Sequence, residues 1–259
     1  MELLRHSEES MGTVFSFAVV PDPSADVDGV RRAVGRACQV LHDVDARFSL
    51  WKPASPMSRL RRGEIGVEEA GPDFAEVAER CERARSLSGG LFDPWALPGG
   101  YDPTGLVKGW ATERALGVLR YGAEVAAAMV NGGGDIACFG RPAEDRPWRI
   151  GIDDPNDPAR IAVVVEGWPA VATSGTYQRG PHLVDPVTRQ PALVGEPAPL
   201  AATVVGQELW LADALATAAA ITAPDVALAM VEDVDGYEAM VTTAEGERRL
   251  TSGFRALSV

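Results

Sequence analysis

The most apolar long window of the chain, from about Leu209 to Met230, is interrupted by Asp213, Pro224 and Asp225. Charges and a proline at those positions rule it out as a membrane span, so it has to be helix inside a folded domain. Within it, Ala212-Asp213-Ala214-Leu215-Ala216-Thr217-Ala218 is alanine-rich and therefore helical. The Asp213 carboxylate and the Thr217 hydroxyl then project from one face, one turn apart. Such a pair is half of a hard-cation site. Magnesium takes oxygen ligands and keeps much of its shell as water and substrate phosphate, so a protein need supply only about two or three oxygens. The alternative reading makes Asp213 a residue favoured by the helix dipole and has Thr217 bond back to a carbonyl. Neighbouring segments have to decide between the two.

Those segments alternate between strand and helix signals. Val14–Val20 reads as a strand ended by Pro21-Asp22-Pro23, and Val30–Val44 carries apolar residues at helical spacing. His42 falls inside that helix, as a surface histidine. A second helix is expected from Pro72 to Ser88, stopped by Gly89-Gly90, and a third ends at Gly122. Strands are expected near 124–130, 148–152, 161–165, 170–172 and 201–206. A helix near 225–232 and a hairpin-like pair at 237–242 and 248–251 close the chain. With 259 residues, no fixed-period repeat and no long polar linker, the pattern predicts one compact α+β domain over residues 1–259.

Charge and cysteine usage exclude several classes. A formal net charge of −13 argues against nucleic acid, which needs a dense basic face. An anionic small molecule can still bind through backbone amides and a metal, because those fields are local. Cys38, Cys81 and Cys138 include no CxxC pair, so reduced structural thiols are expected. MELLRHSEESMGTVF has no basic segment followed by an apolar run, so the expectation is a cytoplasmic protein.

The glycine-rich segments are suggestive of ligand contact. Gly132-Gly133-Gly134-Asp135-Ile136-Ala137 formally matches a dinucleotide fingerprint, but Gly140 and Pro142 stand where its helix would have to be, so that reading fails. Asp135 is either a turn residue or a ligand contact. Lys108-Gly109 lacks the flanking residues of a Walker loop, yet Lys108 after Pro103-Thr104-Gly105 can reach a phosphate or flavin oxygen, and Gly105 exposes its carbonyl. Thr173-Ser174-Gly175 offers hydroxyls and amides at a strand end, or a turn. His182 and Asp185 sit in one loop and are candidates for acid or base work.

In order, Met11-Gly12-Thr13, Phe48-Ser49-Leu50-Trp51, Phe92-Asp93-Pro94, Asp102 through Ala111, Asn131 through Asp135, Thr173 through Tyr177, His182 through Pro186, and Asp213 through Thr217 resemble the ApbE family of FAD:protein FMN transferases. The resemblance implies an α+β fold of two intertwined T-fold-like halves with FAD between them. It implies magnesium on Asp213, Thr217 and the main-chain carbonyl at Gly105. It also implies a flavin nucleotide site lined by Met11, Trp51, Phe92, Asp93, Pro94, Asp102 and Lys108, to which the segment readings add Asp135, Ser174 and Gly175. Family members often carry tyrosine where Trp51 stands, and either ring can stack on a flavin.

The implied reaction is attack on the FAD pyrophosphate by a threonine hydroxyl of a target protein, which leaves FMN attached through a phosphoester and releases AMP. His182 or Asp185 is the candidate base. FAD pyrophosphate hydrolysis and FAD binding without turnover are the competing readings. One departure concerns the family's Asp-Pro-x-Thr-Gly turn, which here reads Asp185-Pro186-Val187-Thr188-Arg189, with arginine in the glycine position.

Overall fold

In the computed structural model, the described residues are 3–122, 124–144, 146–175, 183–186, 188–190, 192 and 199–255. The chain begins with a hairpin of β1 (Leu4–Ser10) and β2 (Thr13–Pro21). Five helices follow: α1 (Val27–Phe48), α2 (Pro56–Arg61), α3 (Val67–Ala70), α4 (Pro72–Leu87) and α5 (Thr104–Arg120). Next come the hairpin of β3 (Val125–Gly132) and β4 (Asp135–Phe139), and that of β5 (Arg149–Asp154) and β6 (Asp157–Glu166). The pair β7 (Ala170–Gly175) and β8 (Ala201–Gly206) leads into α6 (Leu209–Ala219) and α7 (Pro224–Glu232). The last hairpin is β9 (Glu238–Thr242) with β10 (Arg248–Leu250).

Eight strands form one antiparallel sheet in the order β1-β2-β3-β4-β7-β8-β9-β10, and β5 and β6 pair separately. Each half of the large sheet is a hairpin, a helical insert and a second hairpin, and the halves join at the β4–β7 ladder. Helix and antiparallel sheet are thus segregated as an α+β architecture requires. Among the described residues, no helix is long and apolar enough to cross a membrane.

Strand periodicity sorts the core into two layers. Ala170, Ala172 and Val204 face the helices with residues of α1, α5 and α6, while Val171 and Val205 pack with Ile150, Ile152 and Val165 of the β5–β6 hairpin. The hairpin therefore covers the sheet face that the helices leave. Every residue of β8 is buried, which is why Ala-Ala-Thr-Val-Val-Gly carries no polar alternation.

Three elements depart from the sequence expectation. β1 reads Leu-Arg-His-Ser-Glu-Glu-Ser, a mostly polar edge strand whose pairing with β2 supplies what its composition does not. β4 follows directly on the glycines, because Gly133 at φ 63° and Gly134 at φ 103° make the β3–β4 turn. The third expected helix, α5, starts at Thr104, so Thr104-Gly105, read as part of a loop, opens the helix, and Lys108 follows at the helix start as expected.

Candidate functional site

Two helices build the site. α5 and α6 pack closely, with Gly105 and Gly109 of one facing Thr217 and Asp213 of the other. A Cβ added at Gly109 would stand 2.8 Å from the Leu209 carbonyl oxygen and 3.1 Å from Asp213 Cβ. Only glycine permits this approach. A Cβ at Gly105 would stand 3.8 Å from Thr217 Oγ1 and 3.3 Å from the Phe92 ring. Asp213 and Thr217 therefore share one helix face, as their spacing predicts, and that face looks onto the first turns of α5.

Burial reinforces the polarity of this face. Within α6 every residue is buried except Thr217, so the helix opens to its surroundings at the hydroxyl. Asp213 is itself buried, and its Oδ2 accepts the Gly109 backbone amide at 3.1 Å. A buried carboxylate is costly unless it is compensated, and Lys108 Nζ lies 3.8 Å from the same oxygen.

The sheet supplies the other wall. Asp135, buried at the start of β4, forms an ion pair with Lys108 and accepts the Thr173 backbone amide at 3.1 Å on its other oxygen. The antiparallel β4–β7 pairing brings these residues together, since it places the start of β4 beside the end of β7. Next along β7, Ser174 Oγ lies 3.3 Å from Thr217 Oγ1, and Gly175 completes the strand end. Two carboxylates, those of Asp135 and Asp213, thus flank the Lys108 ammonium. Gly105 lies in the first turn of α5, where the helix dipole favours an anion.

Phe92, Lys108, Gly105, Asp135, Ser174, Gly175, Asp213 and Thr217 are thus one connected cluster. Asp93 and Asp102 organise the loop that delivers α5. Asp93 accepts from Arg85 Nε at 2.9 Å and from the Trp95 amide at 2.9 Å, while Asp102 accepts from Thr104 Oγ1 at 2.6 Å and from Arg61 Nη1 at 3.4 Å. The Pro94 carbonyl accepts the Asp102 amide at 2.9 Å and closes that loop. Met11 sits at φ 52° in the β1–β2 turn and packs on the core to which Phe92 belongs, whereas Trp51 is 95% exposed. Asp185 accepts from Thr188 Oγ1 at 3.0 Å in a turn whose flanks, Leu183 and Ala192, pack on Ala219 and Ala220 at the end of α6. His182 lies outside the described residues.

Sequence reasoning missed two features. Gly109 carries no signal of its own beside Lys108, although its spacing from Gly105 matches that of Asp213 from Thr217. Glu113, one turn further along α5, accepts the Leu209 amide and so caps α6 from outside. A groove of about 370 Å³ lined by Glu76, Arg80, Trp110, Glu113 and Arg114 lies on the face of α5 turned away from the cluster.

Comparison with known proteins gives a consistent picture. The ApbE family model matches residues 11–99 and 100–241. A FAD:protein FMN transferase of Vibrio cholerae is 28% identical over 188 residues, which is 63% of this chain and 53% of the relative. The chain thus spans about half the length of the curated relative it matches. Among solved structures, Pseudomonas stutzeri flavinyl transferase ApbE in apo form superimposes with a TM-score of 0.80 at 22% identity, covering 97% of this chain and 95% of the other. The Vibrio cholerae flavin transferase ApbE gives a TM-score of 0.77 at 21% identity, covering 98% of each chain. The Thermotoga maritima ApbE protein gives 0.78 at 20% identity, covering 97% of each. These likenesses establish a shared fold, and with the family model spanning most of its length, the chain belongs to the ApbE family.

Proposed function

We propose that this protein transfers FMN from FAD to a threonine hydroxyl of an acceptor protein, forming a phosphoester and releasing AMP, with residues 1–259 acting as one unit. The observation that carries the reading is the shared face of Asp213 and Thr217 against Gly105, with Lys108 beside it. The likeness to the FAD:protein FMN transferase of Vibrio cholerae supports it.

Magnesium fits this donor set. The Asp213 carboxylate, the Thr217 hydroxyl and the Gly105 carbonyl are hard oxygens of the kind magnesium takes. When bound, the ion would neutralise diphosphate charge and ease the departure of AMP. Lys108, anchored by Asp135, would hold its ammonium against a phosphate oxygen. The dipole at the start of α5 would favour the same anion, and the Ser174 hydroxyl would donate from the strand side. Phe92, buried against Gly105, would give the flavin end an apolar wall. Trp51, on its exposed loop, would supply an aromatic face for the isoalloxazine. Asp185 or His182 would take the proton from the attacking threonine.

The test is to incubate purified protein with FAD and Mg²⁺, with and without a threonine-bearing acceptor, and to measure AMP and acceptor-bound flavin. Acceptor-dependent AMP release supports transfer. Release without acceptor would instead make the protein a pyrophosphate hydrolase, and no release would leave a flavin-binding protein. Alanine at both His182 and Asp185 is expected to abolish transfer, and an unchanged rate removes both from the role of base.

A further inference from the structure

Two of the chain's three histidines, and one of its three cysteines, meet far from the flavin cluster. β1 is an edge strand, and four ladder steps separate it from β7, about 19 Å across the sheet. Its alternation turns His6, Glu8 and Ser10 toward α1, where Ser10 Oγ donates to the Leu41 carbonyl at 3.2 Å. On α1, Cys38 and His42 are four residues apart and share the face turned to β1. An i, i+2 pair on a strand thus faces an i, i+4 pair on a helix.

The side chains of His6, Cys38 and His42 converge on Glu8. His6 Nε2 lies 3.2 Å from Glu8 Oε2, and His42 Nε2 lies 2.8 Å from Glu8 Oε1. Ligand atoms of His6, Glu8 and Cys38 all lie within 4.8 Å of one another. In a tetrahedral zinc site with bonds of about 2.0–2.3 Å, ligand atoms stand about 3.3–3.8 Å apart. His6, Glu8 and Cys38 need shifts of about 1 Å at most to reach that spacing, and His42, which meets the other carboxylate oxygen of Glu8, has to turn inward to join them. Imidazole, thiolate and carboxylate together suit zinc and its neighbours, not magnesium.

We propose that His6, Glu8, Cys38 and His42 form a binding site for a divalent transition metal of the zinc type, separate from the flavin cluster. Binding displaces the Cys38 proton to solvent and needs each imidazole as the tautomer with its proton on Nδ1, so that Nε2 offers its lone pair. Because the thiol proton has to leave, affinity rises with pH. The side chains of His6 and His42 are 40% and 44% exposed, which gives an ion a path from solvent. The site pins the edge strand to the first helix.

The test is titration of the whole protein with Co²⁺ in the absence of FAD and Mg²⁺. The expected result is a thiolate-to-cobalt charge-transfer band saturating at one ion per chain, which Zn²⁺ abolishes by competition. Cys38→Ser should remove the band, and Asp213→Asn should leave it intact, which separates this site from the flavin cluster. His6→Ala and His42→Ala, at partly exposed positions that leave the fold undisturbed, should each weaken binding by about tenfold or more. Absence of the band, or a band that survives Cys38→Ser, would overturn the proposal and leave Glu8 as the acceptor of a hydrogen-bonded cluster only.

Discussion

The backbone amide of Gly109 donates to Asp213 Oδ2 at 3.1 Å, across 104 residues of sequence. This single bond fixes how deeply α5 sits against α6, because it forms only while no side chain separates the two helices. Gly109→Ala would place a methyl group 2.8 Å from the Leu209 carbonyl, a backbone atom that cannot rotate away. We expect a loss of about 1–3 kcal/mol in stability. FAD binding should weaken too, because the helices would part at the cluster. Thermal melts and FAD titration of the variant check both.

Asp213 has two separable duties. As an acceptor it satisfies the Gly109 amide, and as an anion it compensates Lys108 and offers charge to a cation. Asp213→Asn keeps an oxygen for the amide, so the fold should hold while Mg²⁺-dependent AMP release falls about 100-fold or more, equivalent to ~2.7 kcal/mol of barrier. Asp213→Ala should lose the same activity and also about 1–3 kcal/mol of stability, since it leaves a buried N–H unpaired. If Asn and Ala prove equally unstable, charge and not hydrogen bonding holds the helix pair.

Much of this arrangement was legible in the sequence. Alanine content and i, i+4 spacing located Asp213 and Thr217 on one helix face, and continuous apolar runs located β3 and β8, because helical and buried-strand signals are local. What failed to show was contact between distant segments. Asp135 left two readings open until β4 pairing set it beside Thr173 and Lys108. His42 read as a surface histidine, since nothing near it in sequence reveals Glu8 opposite. β1 carries so few apolar residues that only its ladder with β2 makes it a strand.

Arg189 occupies the left-handed region at φ 57°, in the turn position where the family resemblance expects glycine. A non-glycine residue there costs about 1–2 kcal/mol. The turn survives because the Arg189 amide donates to the Asp185 carbonyl at 2.8 Å and Thr188 holds the Asp185 carboxylate. Arg189→Gly keeps these bonds and relieves the strain, although glycine gives back about 0.5–1 kcal/mol through its freer unfolded chain. A net gain of about 0.5–1 kcal/mol is therefore expected in denaturant melts. A loss would mean that the guanidinium makes contacts outweighing the backbone cost.

Glu113 makes stability depend on pH in a direction opposite to that of a salt-bridged acid. Burial pushes its carboxyl up to about 7 from an ordinary 4.5, outweighing the amides of Leu209 and Trp210 that favour the anion. Because the folded value is the higher, the protonated side chain stabilises the fold fully below about pH 4.5, and this contribution disappears as pH rises through about 7. A shift of this size corresponds to at most about 3 kcal/mol, which partial exposure reduces to the order of 1 kcal/mol. Glu113→Gln keeps an oxygen for the Leu209 amide but cannot ionise. The variant should match the parent near pH 5 and exceed it by about 1 kcal/mol at pH 8.5 in urea melts. A variant less stable than the parent at pH 8.5 would show that the anion, facing the first turn of α6, is what the helix end requires.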